Sequence, residues 1–519
     1  MKHFSRNCSK PGHCKEVNRP GRIATLAPLV FVFLGLLGCN VGPKYLRPAV
    51  PAPAAFKESG PLQAPDGTVW KPAQPLDAML RGKWWEIYQE PELNSLEEKL
   101  NISNQNIARA FENFMAARAQ VQQARSNYYP TISVGASYAR NRSSQSQTTA
   151  TSLSKGNPNS NMFNLPFDVA WEPDLWGRVR NTVRQSANAA QVSAADLENQ
   201  KLTEQANLAI FYFELRGQDA LQDLFQKTVE VDRQSLELTR VLYKTGIDND
   251  EAVAQAEITL KSSQAALTNV GIAHAQFEHA IALLVGEPAS TFSIPVRPLT
   301  THVPDIPVGL PSDLLERRPD IASAERTMAE ANALIGAQKA AYYPTVSITG
   351  TAGFASSTFS KWLTSPSRYW AFGPTASETV FDGGLRKSTM AQFMALYNAD
   401  VANYKRVVLT AFQQTEDNLA ALRLLNEEIQ QQQETVASAQ RFVDVASVRY
   451  KTGLDPYLNV FTAQSILLAN QQTVITLRVQ QITSSVQLIE SLGGGWEVTQ
   501  LPTEQQVQAK RPQGSYPAR

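Results

Sequence analysis

Two stretches of the chain alternate polar and apolar positions. Ile132, Val134, Ala136 and Tyr138 alternate with Thr131, Ser133 and Ser137, and Phe163, Leu165, Phe167, Val169 and Trp171 alternate with Asn164, Pro166, Asp168 and Ala170. A period of two predicts strands with one apolar face. Both have about the length of a transmembrane β-strand, roughly 9–11 residues, with aromatics near their ends. Pro166 suits a central ladder poorly, so a bulge is expected there. Between the strands, residues 141–161 are polar and contain Gly156-Asn157-Pro158, which predicts a solvent loop.

The flanking segments have helical spacing instead. Leu93, Leu96, Leu100, Ile107, Phe111 and Phe114 predict a helix between Pro91 and Pro130. From Gly177 to Leu242 the chain runs 66 residues without proline, about 100 Å of helix at 1.5 Å per residue. Its apolar set is thin and Ala-rich, with many Gln, Asn and Thr between. That suits helices packed side by side with one wall wetted. After the turn at Gly246 a second helix returns through Ile258, Leu260 and Leu267 to about Val285.

The whole pattern then recurs. Tyr128-Tyr129-Pro130-Thr131 returns as Tyr342-Tyr343-Pro344-Thr345, 214 residues on, and Tyr243-Lys244-Thr245-Gly246 returns as Tyr450-Lys451-Thr452-Gly453, 207 residues on. The second copy has a helix from about Pro319 to Ala341 and strands around Val346–Phe354 and Trp370–Ala376. A long helix opens at Phe381-Asp382-Gly383-Gly384, and a return helix ends at Gly493-Gly494-Gly495. The chain is two copies of one unit.

The 519 residues carry a net charge of +1, which gives no electrostatic footprint for nucleic acid. Of the three cysteines, Cys8 and Cys14 precede an apolar run at 24–38, too short to span a bilayer but suited to a secretory signal. The run ends Leu36-Leu37-Gly38-Cys39, which resembles a bacterial lipobox. It predicts cleavage before Cys39 and acyl chains on that residue, each buried CH₂ contributing about 0.8 kcal/mol to anchoring. Asn40 after the cysteine favours the outer membrane, by analogy with bacterial lipoproteins. The domain reading is a signal peptide at 1–38 and a lipid-anchored extended linker at 39–90, docked through Trp84 and Trp85. The first repeat spans 91–287, a crossover linker 288–311, the second repeat 312–495, and a disordered tail 496–519.

Each copy supplies two candidate membrane strands, and four strands cannot close a barrel. Open sheet edges cannot face lipid, so a ring of copies with 8, 12 or 16 strands is expected, continued by long helices into a tube. At this point the residues resemble a known family. Leu310-Pro311-Ser312-Asp313-Leu314-Leu315-Glu316-Arg317-Arg318-Pro319-Asp320-Ile321 is similar to the diagnostic motif of the NodT-type outer-membrane lipoproteins of RND efflux systems, a branch of the TolC-like outer-membrane factors. Cys39-Asn40-Val41-Gly42-Pro43-Lys44-Tyr45 and Asp174-Leu175-Trp176-Gly177-Arg178 match the same family. The resemblance implies a mainly α fold with membrane β. It would be a TolC-like homotrimer whose 12-stranded β-barrel, four strands per protomer, continues into a periplasmic α-helical barrel with an equatorial domain.

It also implies a passive conduit in the outer membrane, exporting small molecules with a periplasmic membrane-fusion adaptor and an inner-membrane RND pump as partners. The two Lys-Thr-Gly turns then lie at the periplasmic tip. Tyr243, Asp248, Asp250, Tyr450 and Asp455 are the candidate gate, and Gly246 and Gly453 the candidate adaptor-docking tips. Asn459 and Thr462 stand where family members often carry Asp. A helix-capping role for the three aspartates is the plainer alternative. Two other functions fit the same chain. One is the exit duct of a protein or peptide secretion system. The other is a lipid-anchored periplasmic coiled-coil scaffold with no pore.

Arg317, Arg318 and Asp320 read as charges bridging the junction between repeats, with Pro319 starting a helix. His274 and His279, five apart, do not share a helix face well. No metal-ligand spacing, nucleophile arrangement or phosphate loop stands out. The reading is therefore no enzyme, no metal, and no cofactor beyond the lipid on Cys39.

Overall fold

The computed structural model describes residues 40–50, 52–53, 55–58, 82–142, 159–304, 306 and 311–509. The signal peptide, Cys39, most of the Pro/Ala-rich linker, the centre of the first polar loop, Leu310 and residues 510–519 lie outside the described residues. The described chain forms two compact units. One is a sheet unit of residues 40–42, 130–178 and 339–380; the other is a helical unit of residues 43–129, 179–338 and 381–509.

The sheet unit is antiparallel throughout. Its strands are β1 (Thr131–Val134), β2 (Ser137–Arg142), β3 (Asn159–Trp171), β4 (Thr345–Ser356) and β5 (Arg368–Ser377). β1 and β2 both pair with β3, β3 pairs with β4, and β4 with β5, so the two repeats meet at the centre of the sheet. The strands run beyond the predicted ends. Asn141 and Arg142 pair with Ser160 and Asn159, so the polar loop is shorter than residues 141–161.

The bulge expected at Pro166 does not form. From Val134 to Ser137 is three residues, and their partners Phe167 and Asn164 are also three apart, so no residue is inserted. The Gly135 amide donates to the Pro166 carbonyl at 3.3 Å. In an antiparallel ladder both polar groups of a residue point the same way. The missing Pro166 N–H therefore costs one bond on the β1/β2 side, where the ladder is interrupted at residues 135–136, and none towards β4, whose register is continuous.

Register separates the two faces. Ile132, Val134, Tyr138, Phe163, Leu165, Phe167, Val169, Trp171, Phe354, Trp370 and Phe372 share one face, while Ser133, Ser137, Asn164, Asp168, Thr351 and Thr375 share the other. Trp370 is 80% and Phe372 68% exposed, so among the described residues nothing covers this part of the apolar face. Aromatic clusters bracket it. At the closed ends of the hairpins, Phe163 packs with Tyr138, Phe359 and Trp362. At the open ends, Trp176 stacks on Tyr343 at 4.9 Å and donates through Nε1 to the Pro344 carbonyl at 2.8 Å.

The helical unit repeats in length as well as in sequence. α1 (Pro91–Ser103) and α2 (Gln105–Ser126) precede the first hairpin; α3 (Arg178–Lys244) and α4 (Asp250–Leu284) follow it. After the short α5 (Leu314–Arg317), the second copy supplies α6 (Pro319–Ala340), α7 (Leu385–Lys451) and α8 (Tyr457–Ser491). α3 and α7 have 67 residues each, α4 and α8 have 35, and α2 and α6 have 22. The single helix predicted between Pro91 and Pro130 breaks at Asn104. The Asn104 side chain accepts from the amides of Asn106 and Ile107 and caps α2, a role for which Asn is well suited.

Trp84 and Trp85 are fully buried with Tyr88, Leu93, Leu208, Tyr212 and Phe213 in the main core, as packing aromatics should be. Glu97 is buried in α1, 0% exposed, and neither carboxyl oxygen has a hydrogen-bond partner among the described residues. The described residues between 43 and 58 strap onto the second repeat. Tyr45 donates to Glu325 at 2.6 Å, Arg47 to Tyr404 at 3.1 Å, and the Lys57 and Glu58 amides both donate to Glu416.

The tail expected to be disordered is ordered through residue 509. Thr503 and Gln506 form a capping box that starts α9 (Glu504–Gln508), and Val507 buries against Val121, Ala187 and Ala190. A buried apolar side chain and a self-capped helix hold it down.

Candidate functional site

The site is built on two helical hairpins with matched turns. In α3–α4, Gly246 has φ +75° and the Ile247 amide donates to the Leu242 carbonyl at 2.9 Å; in α7–α8, Gly453 has φ +71° and the Leu454 amide donates to the Arg449 carbonyl at 2.9 Å. Thr245 and Thr452 each bond back to carbonyls of their own last turn. Left-handed glycine at the end of a helix satisfies otherwise orphaned carbonyls, and Lys-Thr-Gly supplies that twice.

The side chains break the symmetry. Tyr450 is 6% exposed, whereas its counterpart Tyr243 is 47% exposed. The Tyr450 hydroxyl donates to Asp248 Oδ2 at 2.6 Å and lies 3.1 Å from Thr239 Oγ1, so it crosses from one hairpin to the other. Its ring packs edge-on against Tyr457 at 5.5 Å, over an apolar layer of Val229, Leu236, Ala252 and Val460. Burial raises the Tyr450 pKa well above the ordinary phenol value, and the Asp248 carboxylate raises it further. The hydroxyl therefore keeps its proton and stays a donor. Burial also pushes Tyr457 up to about 12.

Asp455 occupies the position equivalent to Asp248, two residues beyond its glycine, yet its partner differs. Arg449 grips it with two bonds, Nε to Oδ2 at 2.6 Å and the guanidinium to Oδ1 at 3.0 Å. That cation holds the Asp455 carboxyl below the usual range. The counterpart of Arg449 in the first repeat is Leu242, so the first hairpin has no internal cation at that position and its aspartate receives Tyr450 instead.

The capping alternative fails for two of the three aspartates. Asn249 caps α4 by accepting from the Ala252 amide, and Pro456 occupies the cap position of α8 without a side-chain bond. Asp250 lies exposed in the first turn of α4, where a carboxylate favours the helix dipole. The structure thus joins Asp248 to Tyr450, pairs Asp455 within its own hairpin, and leaves Tyr243 and Asp250 outside both contacts. Arg449, Thr239 and Tyr457 also belong to the site. Arg449 was visible in the sequence as a departure from the repeat.

The junction charges are structural. Arg318 is buried, with two bonds to Asp320 and one to the Ser491 carbonyl, and Arg317 approaches Asp313 at 3.8 Å. Among the described residues, no group of three His, Cys, Asp or Glu is arranged to hold a metal.

An apolar-faced sheet whose two edges pair with no other described strand, together with helices of 67 residues, defines a class: the TolC-like channel proteins of outer membranes. The family model described as outer membrane efflux protein matches residues 96–287 and 310–494, and the chain belongs to that family. It is similar to the toluene efflux pump outer membrane protein TtgC of Pseudomonas putida, 30% identical over 95% of this chain and 99% of the relative. It is also similar to the cation efflux system protein CusC of Escherichia coli, 28% identical over 90% of this chain and 98% of that one. The solved outer-membrane channel OprN superposes with a TM-score of 0.79 at 26% identity, covering 88% of this chain and 100% of its own. The protein is an outer-membrane efflux channel, an outer membrane factor of the RND type, and the family is one of transporters.

Proposed function

We propose that three copies close into one conduit and serve as the exit duct of a tripartite efflux pump, with a periplasmic adaptor and an inner-membrane RND pump upstream. The observation that carries this is the sheet. It has four strand runs, an uncovered apolar face, and two edges, β1/β2 and β5, that no other described strand of the chain pairs. In lipid every backbone polar group needs a partner. A second and a third copy supply those partners and give 12 strands.

The tip acts as a gate. The Tyr450–Asp248 bond ties the second repeat's hairpin to the first, and the Arg449–Asp455 pair stiffens the second hairpin. A hydrogen bond to a charged acceptor contributes about 1.5–3 kcal/mol. One such latch per subunit suits a gate that an adaptor, docking at the Gly246 and Gly453 turns, could open. Small molecules of the kinds named for the relatives, such as toluene or cations, are the substrate class.

Cys39 carries the lipid anchor in this reading. Asn40 supports it: Gly177 has φ +84°, and a Cβ there would lie 2.8 Å from Asn40 Oδ1, while the Val41 amide donates to the Trp176 carbonyl. The residue after the cysteine is therefore packed at the open end of the sheet, where strands lead to periplasmic helices. The test is planar-bilayer recording of purified protein. Discrete channels whose conductance rises in Tyr450→Phe support the duct and its latch, and absence of any conductance contradicts the duct.

A further inference from the structure

The sheet keeps its described cations towards the closed ends of its hairpins, three of them on one face. The sequence has no Asp or Glu from Thr131 to Phe167 or from Pro344 to Ser377. The described cations in those stretches are Arg140, Arg142, Lys361 and Arg368, all at the closed ends of the hairpins. None forms an ion pair among the described residues.

Register fixes where three of them stand. Tyr138 lies opposite Phe163, so Arg140 and Arg142, two and four residues further along β2, share the apolar face. Arg368 lies opposite Phe354, which lies opposite Leu165, again on that face. The aromatic cluster lies below Arg140 and Arg142, with Tyr138 4.7 Å and Trp362 5.8 Å from Phe163, while Arg368 stands on the Leu165 rung, two residues to the open-end side of Phe163. Arg140 sits two residues past Tyr138, about 7 Å along the strand. A long side chain there reaches the headgroup level.

A lipid-facing arginine is costly at the bilayer midplane and nearly neutral at the interface. Several on one lipid-facing wall, with no carboxylate in the same stretches, call for an anionic counterpart. Guanidinium groups match phosphate in a two-pronged geometry. We propose that Arg140 and Arg142, beyond the Tyr138–Phe163–Trp362 cluster, and Arg368, on the Leu165 rung of the same face, bind phosphate groups of lipids in the outer leaflet of the outer membrane. This rests on the reading of the apolar face as the lipid-facing wall of a barrel.

The experiment titrates purified detergent-solubilised protein with lipid A bearing both phosphates, with the same lipid dephosphorylated, and with inorganic phosphate, and counts bound lipid by native mass spectrometry. Wild type should prefer the phosphorylated lipid at least tenfold. At about a fivefold loss per cation removed, the triple variant R140Q/R142Q/R368Q should lose that preference, while R140K/R142K/R368K, which keeps the charge without the fork, keeps part of it. Inorganic phosphate should compete only weakly. The proposal is overturned if wild type shows no preference for phosphate, if the triple glutamine variant retains it, or if inorganic phosphate displaces the lipid at equal concentration. Bilayer conductance is recorded on the same samples. Conducting wild type without phosphate preference sinks this site alone; non-conducting wild type sinks the channel reading beneath it.

Discussion

At the scale of single residues, two aspartates in equivalent positions have different partners, and the difference traces to one substitution between the repeats. Arg449 captures Asp455, whereas Leu242 leaves Asp248 for Tyr450. Removing the Asp455 carboxylate should change conductance or its block by polyvalent cations; unchanged values in Asp455→Ala would remove that residue from the gate. The pH window follows from the two directions of shift. Asp455 is depressed, so its pair is intact above the ordinary Asp value and is lost as pH falls below about 4. Tyr450 is raised, so its contribution is complete below the ordinary phenol value and fades only above about pH 10. Conductance should therefore hold steady between about pH 5 and 9, and a gate step inside that window would point to other groups.

Glu97 offers a residue-scale test of stability. Burial raises its pKa well above the ordinary 4.5. Its destabilising effect therefore grows as pH rises past that value, because the unfolded chain ionises first. Glu97→Leu should raise the melting temperature, more at pH 7 than at pH 5, with a gain of roughly 1–3 kcal/mol. An equal gain at both pH values would contradict an unpaired buried carboxyl.

At the scale of elements, the repeat made most of the architecture legible. Alternation marked the strands, proline gaps marked the long helices, and Lys-Thr-Gly marked both tips. What alternation could not fix was where each strand stops, because Asn141, Ser160 and Asn161 continue a ladder with polar side chains. Nor did periodicity reveal the Asn104 break, since the apolar stripe continues across it. The order of the tail is not legible in its own residues, because it depends on packing against distant residues such as Val121 and Ala187. The candidate site was half legible: Asp248 and Tyr450 could be named, but their pairing across hairpins is a tertiary fact.

Pro166 and Gly353 form a pair at the centre of the sheet, and a Cβ on Gly353 would lie 2.2 Å from the Leu165 carbonyl oxygen. Gly353→Ala should cost about 1–3 kcal/mol, as overpacking usually does. The readout is the temperature at which the assembled protein dissociates in detergent. No change would mean that β3 and β4 separate more easily than their register suggests.

At the scale of the whole molecule, what matters most is the surface that a single chain leaves uncovered. Trp370 and Phe372 are exposed on a sheet whose two edges pair with no other described strand. A scaffold without a pore has no use for such a face, while a barrel of several copies requires it. Membership of the efflux family and the match to OprN agree with the channel. The most direct test is the mass of the particle extracted from outer membranes in mild detergent. Three chains per particle is the predicted result; a stable, monodisperse single chain with its β-sheet intact would contradict the closed barrel.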